Sequence, residues 1–359
     1  MIIYARSPYF IEVNETSQLG SKIELFIWNR PNAEPSTPTY TFTKTIASTT
    51  NRNNVYNISP YIREYMEAIA PNYDTNNIWA NVKVKRYKEA SLGTYTLVET
   101  LSGYATQGYT LYIDGMNSAE ETFPNFNVLT KQGITYNYQE GIASQFYPFI
   151  NVVTDNTTPT EVRVSYKDLR GRNEVIVSYY DLGGRQMLKI PFRTDSIKFD
   201  KGNTMEIAYR STGEYNDTSS TFTILPICEP KFTPVQCQYI NRFGGWQFLT
   251  FYKAQTNSIQ TQGTTYNLLP NQVNYNTVRA QSKSFNINGT QSIRLNTGWI
   301  DEAYNDLIQD LLLAETILLD GVPVEVKTTA TDLKTSLKDR NINYEITFDY
   351  AFSLINNVV

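Results

Sequence analysis

Apolar residues recur at every second position over much of this chain. In Ile23-Glu24-Leu25-Phe26-Ile27-Trp28, the aliphatic Ile23, Leu25 and Ile27 alternate with Glu24, Phe26 and Trp28, the period of a pleated strand with one face toward a core. The run Trp79 to Tyr87 repeats it, with Ala80, Val82 and Val84 on one face and Lys83 and Lys85 on the other. A Pro/Ser/Thr loop, NAEPSTPT, lies between them. Ser59-Pro60 then predicts a short helix, with Ser59 as N-cap and Pro60 in the first turn. Ile62, Met66 and Ile69 fall on one side of it, and Pro71 closes it. Residues 1–117 therefore read as a β-sandwich carrying one short helix.

The middle of the chain is also punctuated strand. Glu161 to Tyr166 and Glu174 to Tyr180 are followed by the turns Asp168-Leu169-Arg170-Gly171 and Asp181-Leu182-Gly183-Gly184, a spacing that suits a sandwich or barrel. The likeness of VRVSYKDLRGR to VIVSYYDLGGR is read as two adjacent hairpins of one sheet rather than a duplication. KFDKGNTMEIAYR and TFTILPI complete a second sandwich over 118–230. The prolines between Cys228 and Arg242 mark a hinge into a third domain, 231–359. There Ile300, Tyr304, Leu307, Ile308, Leu311 and Leu312 form a one-sided helical stripe, with Asp301 and Glu302 in its first turn, where the helix dipole favours acids. Asp320-Gly321 turns the chain into Val322 to Thr328. Tyr344, Ile346, Phe348, Tyr350 and Phe352 share one face of a final strand, expected to pair with Ala330 to Leu337 through Lys338-Asp339-Arg340-Asn341. The fold class is all-β dominated: serial sandwiches, then a small barrel with one amphipathic helix over a mouth or face.

Composition narrows the chemistry. The chain has 359 residues and no histidine, which removes Ser-His-Asp and Cys-His hydrolases, His-ligated zinc and facial-triad iron. Cys228 and Cys237 form neither a zinc set nor a C-x-x-C pair; they read as two thiols, with a disulfide sterically open. Glu120 with Glu121 and Asp301 with Glu302 are sequence neighbours, not a carboxylate pair facing across a cleft. Asp74-Thr75-Asn76-Asn77 lacks the full calcium loop. Gly183-Gly184 and Gly244-Gly245 read as hairpin turns rather than phosphate cradles. No catalytic, cofactor or metal residue is assigned, and the chain is read as a non-enzyme. The N-terminus shows no signal peptide and no window is long and apolar enough for a transmembrane helix.

What replaces the missing charge is informative. Charged residues are 18 % of the chain, net charge is −4, and there are 27 tyrosines and 17 phenylalanines. A mildly acidic chain is a poor general binder of nucleic acid. Abundant Tyr beside Asn and Gln suits protein interfaces, simple sheet packing, or sugar stacking. Together with serial sandwiches, this points to a subunit of a large assembly, built by symmetric self-association.

The run from Phe243-Gly-Gly-Trp246 through RLNTGWIDEAYNDLIQDLLLAETILL, PVEVKTTATDLKTSLKDRNINYEITFDYAF and Asn356-Asn357 resembles the C-terminal region of virion structural proteins of tailed bacteriophages. SPYFIEV, LFIWN and NISPYIREYM resemble the N-terminal module of the same group. The resemblance implies a tail-tube-like barrel-plus-helix unit and a distal-tail or baseplate ring protein. It implies a homo-oligomeric ring, other tail proteins as partners, and DNA passing the lumen without specific binding. Its place would be the virion tail, after assembly in the host cytoplasm. It carries no catalytic residues. The residues expected to build the assembling block are Trp246, Tyr304, Leu307, Ile308, Leu311, Leu312, Ile346, Phe348 and Tyr350. The rival from another class is a carbohydrate-binding receptor module whose tyrosines contact host glycans.

Overall fold

The structure is a computed structural model and describes residues 1–29, 32–46, 53–68, 78–115, 126–139, 148–154, 160–181, 185–192, 201–210, 216–227, 231–268, 278, 280–335 and 342–356. The chain divides into two compact units, 1–226 with 240–248, and 227–239 with 249–359. The fold is dominated by strands and sandwich-like, with two short α-helices.

The first unit opens with β1 (Ile2–Tyr4), β2 (Phe10–Val13), β3 (Gly20–Trp28), β4 (Tyr40–Thr45), β5 (Asn54–Asn57), α1 (Ser59–Ala68), β6 (Trp79–Ser91) and β7 (Thr94–Thr106). One sheet has the order β1-β7-β6-β3-β4, and β2 and β5 form a second, two-stranded sheet. The alternation works as the sequence predicts: Ile23, Leu25, Ile27, Ala80, Val82 and Val84 are buried with Ile11, Val13, Tyr56, Ile62 and Met66 in one core. Both sheets and α1 thus bury one apolar face each, which is what makes a sandwich. The helix cap differs from expectation. Ser59 lies inside the helix and its hydroxyl is buried without a partner; the Asn57 carboxamide oxygen accepts the Ser59 N–H (3.3 Å) and the Tyr9 N–H (3.2 Å) instead. Asn competes well for this position because its oxygen reaches donors on both sides of the turn. Ile69 and Pro71 lie outside the described residues.

The outer face of that sheet carries a charged cluster. Lys22 Nζ is 2.7 Å from Glu24 Oε1, and the Tyr87 hydroxyl donates to Glu24 Oε2 at 2.7 Å. The ammonium lies 4.2 Å from the Tyr87 ring centroid and 5.2 Å from that of Tyr95. Burial opposes ionisation of Glu24, but the Lys22 and Tyr87 hydrogen bonds outweigh it and hold the carboxyl below its ordinary 4.5. The Tyr87 phenol is pushed up to about 12 by burial and by that same carboxylate. A carboxylate depressed on folding contributes stability that is complete above its unfolded value and drains away as pH falls through the lower folded value. Glu24→Gln is therefore expected to lower the thermal midpoint at neutral pH and to flatten its fall through the acid carboxylate range. An acid limb as steep as the parent's would refute the coupling.

The rest of the first unit holds β8 (Phe126–Val128), β9 (Thr135–Gln139), β10 (Phe149–Thr154), β11 (Thr160–Asp168), β12 (Glu174–Asp181), β13 (Gln186–Pro191), β14 (Asn203–Arg210) and β15 (Asn216–Ile227). They make a three-stranded sheet, β13-β10-β8, and a five-stranded one, β12-β11-β14-β15-β9. Inward residues join the two: the Tyr166 hydroxyl on β11 donates to the Pro191 carbonyl on β13 (2.7 Å), and Phe192 packs 4.6 Å from Tyr136 and 6.1 Å from Phe222. The two similar runs are β11 and β12 themselves, paired antiparallel with Val164 opposite Val177. Asp168 Oδ1 closes their turn by accepting the Arg170 and Arg172 N–H groups at 3.0 and 2.7 Å. The expected second hairpin within the same sheet does not form, because β13 pairs with β10 in the other sheet. The part of its turn at 182–184 lies outside the described residues. The outer face of β11, β12 and β14 is paired across strands: Arg210 with Glu161 at 2.5 Å, and Lys167 with Glu206 and Glu174 at 3.2 and 3.5 Å.

The second unit is built on a seven-stranded sheet containing β16 (Val235–Ile240), β17 (Trp246–Phe251), β18 (Thr256–Asn267), β19 (Ser282–Asn296), β20 (Ile317–Leu319), β21 (Val322–Val326) and β22 (Glu345–Ser353), with α2 (Asn305–Leu312) between β19 and β20. The order is β17-β16-β20-β21-β22-β19-β18. This sheet is open. Its end strands β17 and β18 are not paired with each other among the described residues, where the sequence suggested a small barrel. The final strand also finds other partners than expected. β22 pairs with β19 and β21, with Ile346 opposite Leu295 and Val324 opposite Tyr350, and residues 330–335 are not strand. Proximity in sequence favoured 330–337, but those residues carry no alternation to bury, whereas β19 and β21 do. The turn at 338–341 lies outside the described residues.

Candidate assembly surface

The residues singled out from sequence form two interior groups. Asn305 to Leu312 is helical, preceded by a 3-10 turn over Glu302–Tyr304. Tyr304, Leu307, Ile308 and Leu311 are buried, while Leu312 is half-buried. Ile300 lies before the helix, in an isolated bridge to Ile342. The Tyr239 hydroxyl on β16 donates to the Leu307 carbonyl at 2.8 Å, and the Tyr344 hydroxyl donates to Asn305 Oδ1 at 2.5 Å, so the sheet holds both edges of the helix. Ile346 and Phe348 are buried, with Phe348 edge-on to Phe251 at 6.0 Å; Tyr350 is half-buried and Phe352 exposed. The apolar face of β22 thus runs from core to surface along one strand.

Trp246 belongs to the first unit and opens β17 directly after the loop Asn241-Arg242-Phe243-Gly244-Gly245. The Asn241 carboxamide organises that loop, accepting the Phe243 and Gly245 N–H groups (3.0 and 3.1 Å) and donating to the Leu129 carbonyl (2.8 Å). The Trp246 N–H donates to Asn151 Oδ1 at 2.8 Å, and its carbonyl accepts from Thr130 Oγ1 at 3.2 Å. Gly244 has φ +78° and sits against Thr106 and Gly108, so the turn reading of this glycine pair holds. Gly183-Gly184 lies outside the described residues.

Among the described residues no group of three or more His, Cys, Asp or Glu side chains is placed to hold a metal ion. Asp301 and Glu302 are exposed at the start of the 3-10 turn. Glu120, Glu121 and Asp74 to Asn77 lie outside the described residues, as does Cys228. Cys237 is a free, buried thiol whose pKa is pushed up by burial and by the nearby Asp320. That makes it a packing residue rather than a nucleophile. No described helix is long and apolar enough to cross a membrane.

The surface that stands out is a ribbon the sequence did not announce. All twelve residues of β18, TNSIQTQGTTYN, are exposed, as is the first part of β19 from Ser282 to Ile287. β22 runs alongside β19 only as far as Thr290. Beyond that the two strands project as a ribbon exposed on both faces, carrying Tyr266, Phe285 and Ile287, with Ile259 exposed at its base opposite Gln291. Tyr266 and Phe285 pack edge-on at 5.5 Å. β18 contains no charged residue and β19 begins with only Lys283. Isolated two-stranded ribbons are marginal in water, and unguarded edge strands are ready to take a further strand. The register says which amide groups are available. The Leu268 N–H donates to the Gln281 carbonyl (2.6 Å), and Asn267 lies opposite Ser282. Antiparallel pairs alternate, so the N–H groups of Tyr266 and Thr264 face β19 while those of Asn267 and Thr265 face outward. Ser, Thr, Asn and Gln on both faces read as loop in sequence. Only the tyrosine, threonine and isoleucine content of the run was a strand signal, and it lacks the one-sided stripe that identifies strands packed on a core.

No protein-family model matches the chain, and no curated protein sequence matches it. Among solved structures, the FN1-FN3 domains of chicken CNTN1 are similar over 80 % of this chain and 92 % of that chain, at 8 % identity and a TM-score of 0.17. A likeness at that level carries no argument about fold or function.

Proposed function

We propose that this protein is a structural, non-enzymatic component of a phage tail, a distal-tail or baseplate-type ring subunit that joins copies of itself and docks neighbouring tail proteins. The observation that carries the reading is the exposed ribbon of β18, which has no charged residue, and the start of β19, at the end of the sheet among the described residues. The phage resemblance in the last third of the sequence supports the same reading, as does the shortage of charge. On this view the tube-like wall is made between copies: each chain supplies an open sheet, and the neighbour's strand continues it. A heterologous contact of this kind closes into a ring when the rotation per subunit divides the circle. A net charge of −4 suits a conduit that lets DNA pass without holding it.

The test targets the outward N–H groups. Proline at Thr265 removes an outward donor, and strand ends and edges tolerate it; the hydrogen bonds between β18 and β19 stay intact. Concentration-dependent rings are expected from the parent in sizing and electron microscopy, and Thr265→Pro is expected to abolish them with an unchanged unfolding midpoint. A parent that stays monomeric at high concentration, or a glycan array showing selective sugar binding by isolated subunits, would overturn the reading in favour of a receptor module.

A further inference from the structure

At the base of the ribbon the chain holds its single Asn-Gly dipeptide, Asn288-Gly289, in an irregular stretch of β19. The register shifts on one side between Gln262 and Thr264 and on the other between Thr290 and Ser292, and Asn286 has φ +52°. The Asn288 carboxamide is folded back over the following peptide: its Oδ1 accepts the Gly289 N–H at 2.7 Å. The same carboxamide clasps the segment after β22, with Nδ2 donating to the Ile355 carbonyl (2.9 Å) and Oδ1 accepting the Ile355 N–H (3.1 Å). The Leu354 N–H completes the attachment by donating to the Gly289 carbonyl at 2.9 Å. Asn288 is half-buried, so water reaches its side chain.

We propose that Asn288-Gly289 is a self-modifying site, a deamidation centre whose conversion releases the segment Leu354 to Asn356 from the base of the ribbon. The carboxamide oxygen is held 2.7 Å from the peptide nitrogen that must attack the adjoining carbon, which keeps the two reacting groups together, and glycine puts no Cβ in the way. The Gly289 N–H gives its proton to hydroxide, and the nitrogen forms a bond to Asn288 Cγ. The Cγ–Nδ2 bond breaks, and Nδ2 takes a proton from water and leaves as ammonia. The cyclic imide then adds one water and opens at either carbonyl to aspartate or isoaspartate. The net change is Asn plus water to Asp plus ammonia, with no oxidant or reductant. In the product an acceptor-only carboxylate faces the Ile355 carbonyl, so the bond from Nδ2 is lost and replaced by repulsion. Isoaspartate adds a carbon to the backbone of β19 at the same point. The inference is independent of ring assembly and survives if the protein proves monomeric.

The full-length protein is incubated at mildly acid and mildly alkaline pH, and each asparagine is followed by peptide mapping with separation of isoaspartate. Conversion at Asn288 is expected to run about tenfold ahead of any other described asparagine, as pre-positioned reacting groups allow. It should accelerate with pH and be lost in Gly289→Ala, whose added Cβ meets the flexible end of Leu354 at 3.2 Å, the Gln260 carbonyl at 3.4 Å and Ile259 Cγ2 at 3.5 Å. Hydrogen exchange at the Ile355 amide is expected to rise about tenfold in the converted protein and in Asn288→Asp, the loss of about one hydrogen bond's worth of protection. Conversion of Asn288 at the same rate as other asparagines overturns the site. Conversion or Asn288→Asp with unchanged exchange at Ile355 overturns the release.

Discussion

Leu311→Asp is expected to abolish folding of the second unit. Leu311 is fully buried on α2, one turn after the equally buried Ile308 and Leu307. A carboxylate at so buried a position must either ionise out of reach of water or take up a proton at the cost of its hydration. Such changes belong to the exceptional class that costs more than about 4 kcal/mol, a large part of the ~5–15 kcal/mol that holds a domain folded. The measurement is soluble yield, near-ultraviolet circular dichroism and unfolding midpoint of the full chain. Leu311→Met is the control, because a volume-conserving swap costs less than about 1.5 kcal/mol. Parent-like yield and midpoint from Leu311→Asp would refute the helix as the keystone of that unit.

Gly244→Ala carries the second large effect, and it separates two causes that usually travel together. Gly244 has φ +78°, and an added Cβ would stand 2.4 Å from Thr106 Cβ and 2.7 Å from the Gly108 nitrogen. Gly115 has nearly the same φ, +80°, with nothing within 4 Å of its added Cβ. Gly115 has ψ −168°, a positive-φ region essentially restricted to glycine, so Gly115→Ala should lose about 1–3 kcal/mol from backbone strain alone. At Gly244 the neighbour is anchored to backbone and cannot swing away, and Thr106 Oγ1 also donates to the Phe243 carbonyl at 2.8 Å. The loss there should reach about 3 kcal/mol or more, in the range of overpacking added to strain. Equal midpoints for the two alanine variants would mean the loop yields, and that Asn241, Thr106 and Asn151 do not hold it in place.

Much of the first unit was legible because its strands carry one apolar face each. Ile23, Leu25, Ile27, Ala80, Val82 and Val84 are buried as their alternation predicts. The helix stripe from Tyr304 to Leu311 is likewise one-sided in sequence and in structure. The Asp168 turn was readable because its carboxylate and Gly171 supply what a tight reversal needs. The ribbon was not readable. A strand with both faces in solvent has no hydrophobic period, so its strand character lies in pairing with a distant segment. Phe348 and Leu311 are buried inside the block, while Tyr266, Phe285 and Ile259 are exposed.

By itself the sequence determined many of the elements and their inward faces: period-two alternation makes strands, the Leu307 to Leu312 spacing makes one short helix, and the absence of histidine removes whole classes of catalysis. Those properties are local, set by side chains a few residues apart. Tertiary structure alone decided which strands pair, that β13 leaves the sheet of β12, that β22 lies between β19 and β21 rather than beside 330–337, and that β18 is the end strand of its sheet among the described residues. Pairing joins residues scores of positions apart. Many alternating strands present similar edges to one another, and the choice among them is made only when every apolar face must be buried at once.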